Sequence, residues 1–339
     1  MDLVERSDEL HAKVRAFTTG SFEELALEIA EFQVRHSPGF ARLVRARGSS
    51  LDTLASIPAV PTEAFRLTRV AVHPPELDCA AFVTSGTTGS ARGTHYFRTL
   101  ETYRVLALRA GALGLRVTAP LTVACLAPRP ENSSLGFMMD LFQRTWDARE
   151  ERWLIAGDAI DVAGLRQSAG SGARRGEPLL LLATAFALVG LLDRLGTERV
   201  ELPAGSRVMM TGGFKGRVRE VEGEALRAAV CAAFGLEPSS VIGEYGMTEL
   251  TSQLYEGVPG VYVEPPTLRV VAVDGATLQA VDDGEPGLAR IVDLGNVDSA
   301  VAIQTQDRVR RVAGGIELLG RAPGATPRGC SLALESLLA

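Results

Sequence analysis

Apolar and polar positions along the chain follow one rhythm, then another. Phe22, Leu25, Ile29 and Phe32 recur at the three-and-four spacing of one helix face, and Ser21 with Glu24 has capping-box spacing just ahead of them. Pro58 and Pro61 close this helical region. Short apolar runs then alternate with helix-patterned segments: strands over 80–84, 121–126, 153–156, 179–183, 207–211 and 241–244, helices over 99–113, 134–146 and 218–234. The apolar stretch 179–192 is too short to span a bilayer, and Thr184 divides it into a strand-like and a helix-like half. Residues 169–176, rich in Gly, Ser and Arg, read as a mobile connection.

Strand–helix alternation predicts an α/β fold, mostly parallel sheets flanked by helices. From about residue 261 the texture changes to strands over 268–273, 289–294 and 316–319, with turns at Asp283-Gly284 and Gly314-Gly315, which predicts a small antiparallel β unit near the C-terminus. The expected divisions are a helical segment 1–70, an α/β core 71–260, a β subdomain 261–321 and a tail 322–339.

Composition narrows the function classes. The 339 residues are 46% hydrophobic, enough for a sizeable core, and the net charge of −6 without a Lys/Arg run argues against nucleic-acid binding. Lysine occurs only at Lys13 and Lys215. Cys79, Cys125, Cys231 and Cys330 show no zinc-ligand spacing, and the acidic N-terminus is unlike a signal peptide. A cytoplasmic, reducing setting with no membrane span is the expectation.

The densest candidate chemistry is Thr84-Ser85-Gly86-Thr87-Thr88-Gly89, which follows an apolar strand and precedes a helix after a short hairpin-like tract. Glycines let backbone N–H groups approach anionic oxygens, the hydroxyls add donors, and Arg92 sets a fixed cation a few residues on. This predicts a phosphate-binding loop, though Ser/Thr/Gly turns without a ligand share the composition.

The run TSGTTGSARG resembles the phosphate-loop motif of the adenylate-forming superfamily, with Ala91 where proline and Arg92 where lysine are usual. Glu244-Tyr245-Gly246-Met247-Thr248-Glu249 resembles that family's YGxTE element. The resemblance implies the large-domain fold of adenylate-forming enzymes, with ATP and Mg²⁺ as cofactors. It places Tyr245 against adenine, Gly246 among the nucleotide-binding residues, Thr248 at the α-phosphate and Glu249 on Mg²⁺. Gln304-Thr305-Gln306-Asp307 resembles the TGD element, with Gln306 in place of glycine, so Asp307 would bind the ribose. Gly320-Arg321 resembles the pair that closes the large domain, with Arg321 near ribose or phosphate.

Eighteen residues follow Arg321 and none is lysine, so the small mobile domain and catalytic lysine of typical members are not expected. The branch that matches is that of the acyl-protein synthetases of bacterial fatty-acid reductase systems, with their phenylacetate-CoA-ligase-like relatives. In that branch a cysteine near the C-terminus takes the acyl group from the adenylate, and Cys330 stands at the matching position. Cys330 alternatively fills core space, as expected of Cys79, Cys125 and Cys231. Lys215, after Gly212 and Gly213, would stand in for the missing lysine or is a solvated turn residue. His95 and Asn132 are weaker candidates for phosphate or acyl contacts.

The implied function is ATP-dependent activation of a fatty or other carboxylic acid, then transfer to Cys330 or to a partner: a reductase, an acyl carrier protein or CoA. Two alternatives stay open, a CoA or carrier-protein ligase for an aryl or amino acid, and a catalytically weak scaffold subunit.

Overall fold

Helix α1 (Leu3–Ala16) precedes α2 (Phe22–His36), where the apolar spacing predicts a helix. Only half of the expected capping box forms: Ser21 Oγ accepts the Glu24 N–H at 3.1 Å. Ser37 ends α2 and caps α3 (Pro38–Arg47), with Pro38 in the first turn where a missing N–H costs nothing. The computed structural model describes residues 2–84, 92–118, 120–129, 131–212, 223–322 and 337–338. The chain divides into two compact units, one of residues 1–107, 247–253 and 263–339, the other of residues 108–246 and 254–262.

In the first unit, β1 (Val60–Pro61) leads into α4 (Ala64–Leu67), and β2 (Ala80–Val83) pairs antiparallel with β3 (Thr94–Phe97). Helix α5 (Glu101–Gly114) follows, its residues from 108 on belonging to the second unit. Gln33, fully buried on α2, donates to the carbonyls of Asn296 and Val297 and accepts from Val301 N–H at 3.0 Å. That one amide ties the helical segment to a loop about 260 positions later.

The second unit runs β4 (Thr122–Pro128), α6 (Ser134–Trp146), β5 (Trp153–Ala156), β6 (Ala159–Ile160), α7 (Val162–Arg175), β7 (Leu179–Thr184) and α8 (Ala185–Leu195). It continues with β8 (Arg207–Thr211), α9 (Gly223–Phe234), β9 (Val241–Tyr245) and β10 (Leu254–Val258). Strands β5, β4, β7, β8 and β9 lie side by side and parallel, with β6 antiparallel to β5 and β10 antiparallel to β9. Leu179, Leu181 and Leu182 are fully buried, which is why β7 reads as a continuous apolar run. Thr184 does divide strand from helix, its Oγ1 accepting the Ala187 N–H at 3.2 Å.

Residues 169–175 belong to helix α7, contrary to the mobile connection expected there. Asp161 caps its start at 2.7 Å, and Gly176 ends it in the left-handed region with φ of 67°. Small residues mark contact here: a Cβ on Gly172 would lie 3.0 Å from the Glu177 carbonyl oxygen and 3.3 Å from Thr122 Oγ1.

A similar close approach fixes Gly114. A Cβ there would sit 2.4 Å from Cβ and Cγ of Tyr255, itself buried on β10. Gly114→Ala is therefore expected to destabilise the protein by about 1–3 kcal/mol, read as a lower urea midpoint with an unchanged slope.

Strand β11 (Val261–Val263) precedes the antiparallel group β12 (Leu268–Val273), β13 (Pro286–Asp293), β14 (Ala302–Val312) and β15 (Gly315–Arg321), paired in that order. The expected antiparallel unit is present, and β1 adds to β14 in parallel register.

Candidate functional site

The Thr84–Gly93 loop closes the β2–β3 hairpin. Thr84 N–H donates to the Gly93 carbonyl and Gly93 N–H donates to Thr84 Oγ1, both at 2.9 Å. A Cβ on Gly93 would lie 3.2 Å from Thr84 Cγ2, so the hairpin base leaves little room for a side chain. Thr84 thus pins the loop's two ends with its backbone and hydroxyl, and Arg92 is exposed beside them. Ser85, Gly86, Thr87, Thr88 and Gly89 lie outside the described residues.

From β3 the hairpin reaches the second motif. Leu250 N–H donates to the Met247 carbonyl at 3.1 Å, which closes a turn with Thr248 and Glu249 at its corners. His95, on β3 and buried, contacts the Thr248 carbonyl through Nδ1 and Ser299 Oγ through Nε2, both at 2.9 Å. A carbonyl only accepts, so Nδ1 carries the proton and Nε2 accepts from the serine hydroxyl. Burial pulls the imidazole down to about 4, so it is neutral at pH 7. The phosphate contact considered for His95 is corrected by this geometry: both ring nitrogens are engaged within the protein.

Asn296 holds the next carbonyl. Its Nδ2 donates to Glu249 O at 2.9 Å and Ala300 O at 3.0 Å, while Oδ1 accepts from Thr251 Oγ1 at 2.7 Å. The segment after the turn is held by Asp293, which is fully buried and accepts from the N–H groups of Thr251, Ser252 and Gly295 and from Ser252 Oγ. Burial pushes its carboxyl up, and these donors pull against that shift.

The third and fourth motifs meet across the β14–β15 ladder, where Asp307 and Arg321 are register partners. Arg321 Nε lies 3.5 Å from Asp307 Oδ1. The register shifts between Asp307 and Val309, a bulge of the kind that re-aims a side chain. Thr305 shapes it, its buried hydroxyl donating to Ala289 O and accepting from Asp307 N–H, each at 3.0 Å. Gln306, in the place of the usual glycine, donates through Nε2 to Glu63 Oε1.

Gly212, Tyr245 and Gly246 belong to the second unit. Gly212 follows β8 with φ of 79°, which only glycine adopts readily. Tyr245 ends β9 and Gly246 follows it, with the Tyr245 ring edge-on to Tyr262 at 6.4 Å. Thr184, Thr211 and Glu244 form a register row at the carboxyl ends of β7, β8 and β9, the end of parallel strands at which α/β proteins place ligands. Glu244 is buried and accepts from Thr211 Oγ1; burial pushes its carboxyl up to about 7, against the pull of that hydroxyl.

Gly213, Lys215 and Cys330 lie outside the described residues. Of the cysteines expected in the core, Cys125 is buried, but Cys79 is exposed and Cys231 half-buried. Cys79 sits where the chain enters the hairpin, its N–H donating to Phe97 O at 2.8 Å. Asn132 is exposed with φ of 58°, a turn conformation asparagine tolerates. Asn296 and Glu244 belong to none of the candidate roles drawn from the motifs; the only signal for Glu244 is a carboxylate at the end of an apolar strand, and Asn296, in the polar stretch 293–299, carries none. Among the described residues no group of three or more His, Cys, Asp or Glu is arranged to hold a metal, and no helix is long and apolar enough to cross a membrane.

The fold is the large-domain fold of adenylate-forming ligases. A structure of 2-hydroxyisobutyryl-CoA ligase in an open conformation, with 2-HIB-AMP and CoA, superposes with a TM-score of 0.64 at 13% identity over 94% of this chain and 79% of that one. ATP-bound MatB from Rhodopseudomonas palustris matches at 0.53 and 16% identity over 72% of this chain, which spans 48% of MatB. O-succinylbenzoate coenzyme A synthetase (MenE) from Bacillus subtilis, with ATP and magnesium, matches at 0.50 and 18% identity, covering 71% and 49%. The chain thus spans about half the length of two of these enzymes. No protein-family model and no curated protein sequence matches the chain.

Proposed function

We propose that the protein activates a carboxylic acid with ATP, forming an acyl-adenylate and pyrophosphate, and passes the acyl group to a thiol. One observation carries this reading: the hydrogen bond from His95 to the Thr248 carbonyl. It joins the strand that leaves the TSGTTG loop to the Met247–Leu250 turn, which carries Thr248 and Glu249 of the second motif, through two residues 153 positions apart within one unit.

In the proposed reaction a carboxylate oxygen of the acid attacks the α-phosphorus of ATP. A new P–O bond forms, the bond to the β-phosphate bridge breaks, and pyrophosphate leaves with that electron pair. Backbone and hydroxyl donors of the Thr84–Gly93 loop hold the phosphates, and Arg92 steadies the leaving pyrophosphate. Thr248 donates to the α-phosphate, Tyr245 and Gly246 receive the adenine, and Asp307 accepts from the ribose hydroxyls with Arg321 beside it. Bound Mg²⁺ supplies charge neutralisation at the phosphates, and Glu249 offers the hard carboxylate oxygen that ion selects. Lys215, with Gly212 and Gly213 before it, is the proposed cation at the acid carboxylate. In the second step a thiolate attacks the acyl carbonyl, the thioester forms and AMP leaves.

Cys330 is the proposed acceptor, consistent with an acyl-protein synthetase. The presence of CoA in the 2-hydroxyisobutyryl-CoA ligase structure favours CoA as the second possibility. Pyrophosphate release measured across fatty, aryl and amino acids is expected to depend on both ATP and an acid. Silence across the whole panel would overturn the reading. Intact-protein mass spectrometry then separates the acceptors: a hydroxylamine-labile adduct at Cys330 supports relay, and CoA-dependent turnover without an adduct replaces it.

A further inference from the structure

We infer that His95 is a positioning residue for the proposed nucleotide-handling turn, holding the Thr248 carbonyl through Nδ1–H while Asn296 holds the Glu249 carbonyl. The inference rests on the function proposed above.

Thr248 and Glu249 occupy the corners of the Met247–Leu250 turn. The turn's own hydrogen bond uses only the Met247 carbonyl and the Leu250 N–H. The two corner carbonyls are the main-chain acceptors it leaves over, and each is taken by a side chain with little exposure, His95 at 2% and Asn296 at 1%. Fixing two successive carbonyls fixes the peptide planes on either side of Glu249, and with them the Cα–Cβ directions of both corner residues. Small errors in such directions are costly where a hydroxyl and a carboxylate must meet phosphate and metal together.

The imidazole is held as firmly as the turn it holds. Its ring lies 5.5 Å from that of Phe65, edge to face, and 4.1 Å from that of Phe97. The Ser299 hydroxyl donates to Nε2 and keeps the ring proton on Nδ1. The opposite tautomer would set an imidazole lone pair against the Thr248 carbonyl oxygen.

The discriminating comparison is His95→Asn against His95→Gln and His95→Ala. An asparagine amide nitrogen stands the same number of bonds from Cα as Nδ1 and can donate to Thr248 O; a glutamine amide extends toward Ser299 instead. His95→Asn is expected to keep kcat for pyrophosphate release within about threefold of wild type, whereas Gln and Ala lose about tenfold or more, the worth of one buried hydrogen bond. KM for the acid is expected to stay put in all three. If the ring only fills space, glutamine, nearer to histidine in volume, retains more activity than asparagine, and that order overturns the inference. Ser299→Ala keeps the imidazole and its packing; it is expected to lower kcat several-fold, and unchanged kinetics would count against the brace. Nitrogen-15 NMR of the histidine rings needs no turnover: the Nδ1–H tautomer at one non-titrating ring near neutral pH is expected, and Nε2–H there refutes the geometry. A wild type that neither binds ATP in calorimetry nor releases pyrophosphate defeats the proposed function, and the inference with it. An active wild type with indistinguishable variants defeats the brace alone.

Discussion

Glu249→Gln is expected to lower acid-dependent pyrophosphate release about a hundredfold or more, the scale of losing charge stabilisation at a transferring phosphoryl group. The substitution is nearly isosteric. It leaves the Glu249 main-chain carbonyl bonded to Asn296 and the turn closed by Leu250 N–H. What it removes is the negative charge. An amide oxygen is a poorer partner for Mg²⁺, and the Mg²⁺ concentration for half-maximal rate should rise along with the loss in kcat. A variant with wild-type rate and wild-type Mg²⁺ response would take Glu249 out of the metal role. Asp307→Asn makes an instructive comparison. Its partner Arg321 has a side chain 62% exposed at 3.5 Å, so the pair adds little to stability. Its loss should appear in ATP affinity.

The alternation of strands and helices was legible because β4, β7, β8 and β9 are buried runs with few polar interruptions, and Thr184 marks the strand–helix break at β7. Helix α7 was not legible. Its glycines and serines look like a connection, yet Leu165, Ser168, Ala169 and Gly172 are its buried face, and close packing selects small residues there. Strand β14 was equally hidden, although it carries Thr305 and Asp307. Its polar residues Gln304 and Thr305 are buried, and both donate to the Ala289 carbonyl, which breaks the expected alternation. The site was readable where it follows contiguous motifs. The parts that make those motifs converge are single side chains such as His95, Asn296 and Asp293, whose partners lie far off in sequence. No local spacing encodes a hydrogen bond between positions 95 and 248. The register pairing of Asp307 with Arg321 is of the same kind: each is uninformative alone, and only the β14–β15 ladder sets them together.

Glu244 gives the largest expected effect on stability, and its direction follows from linkage. Burial raises its folded-state value to about 7 from the ordinary carboxylate value of 4.5. Below the unfolded value both states hold the proton, and the folded carboxyl donates or accepts within the Thr211 contact at no charge cost. Between roughly pH 4.5 and 7 the folded state keeps a proton that the unfolded chain has released, so stability falls as pH rises. The shift corresponds to a loss of about 3 kcal/mol by pH 8, an upper figure because water entry would relieve part of it. Glu244→Gln removes the titration while its amide oxygen can still accept from Thr211. Urea unfolding of both proteins at pH 5 and pH 8 isolates this group, since every other titrating residue is shared. The variant is expected to be close to wild type at pH 5 and more stable at pH 8. A difference that is equal at the two pH values would mean that Glu244 is charged in the folded protein throughout, with Thr211 and its surroundings solvating a carboxylate rather than a carboxylic acid.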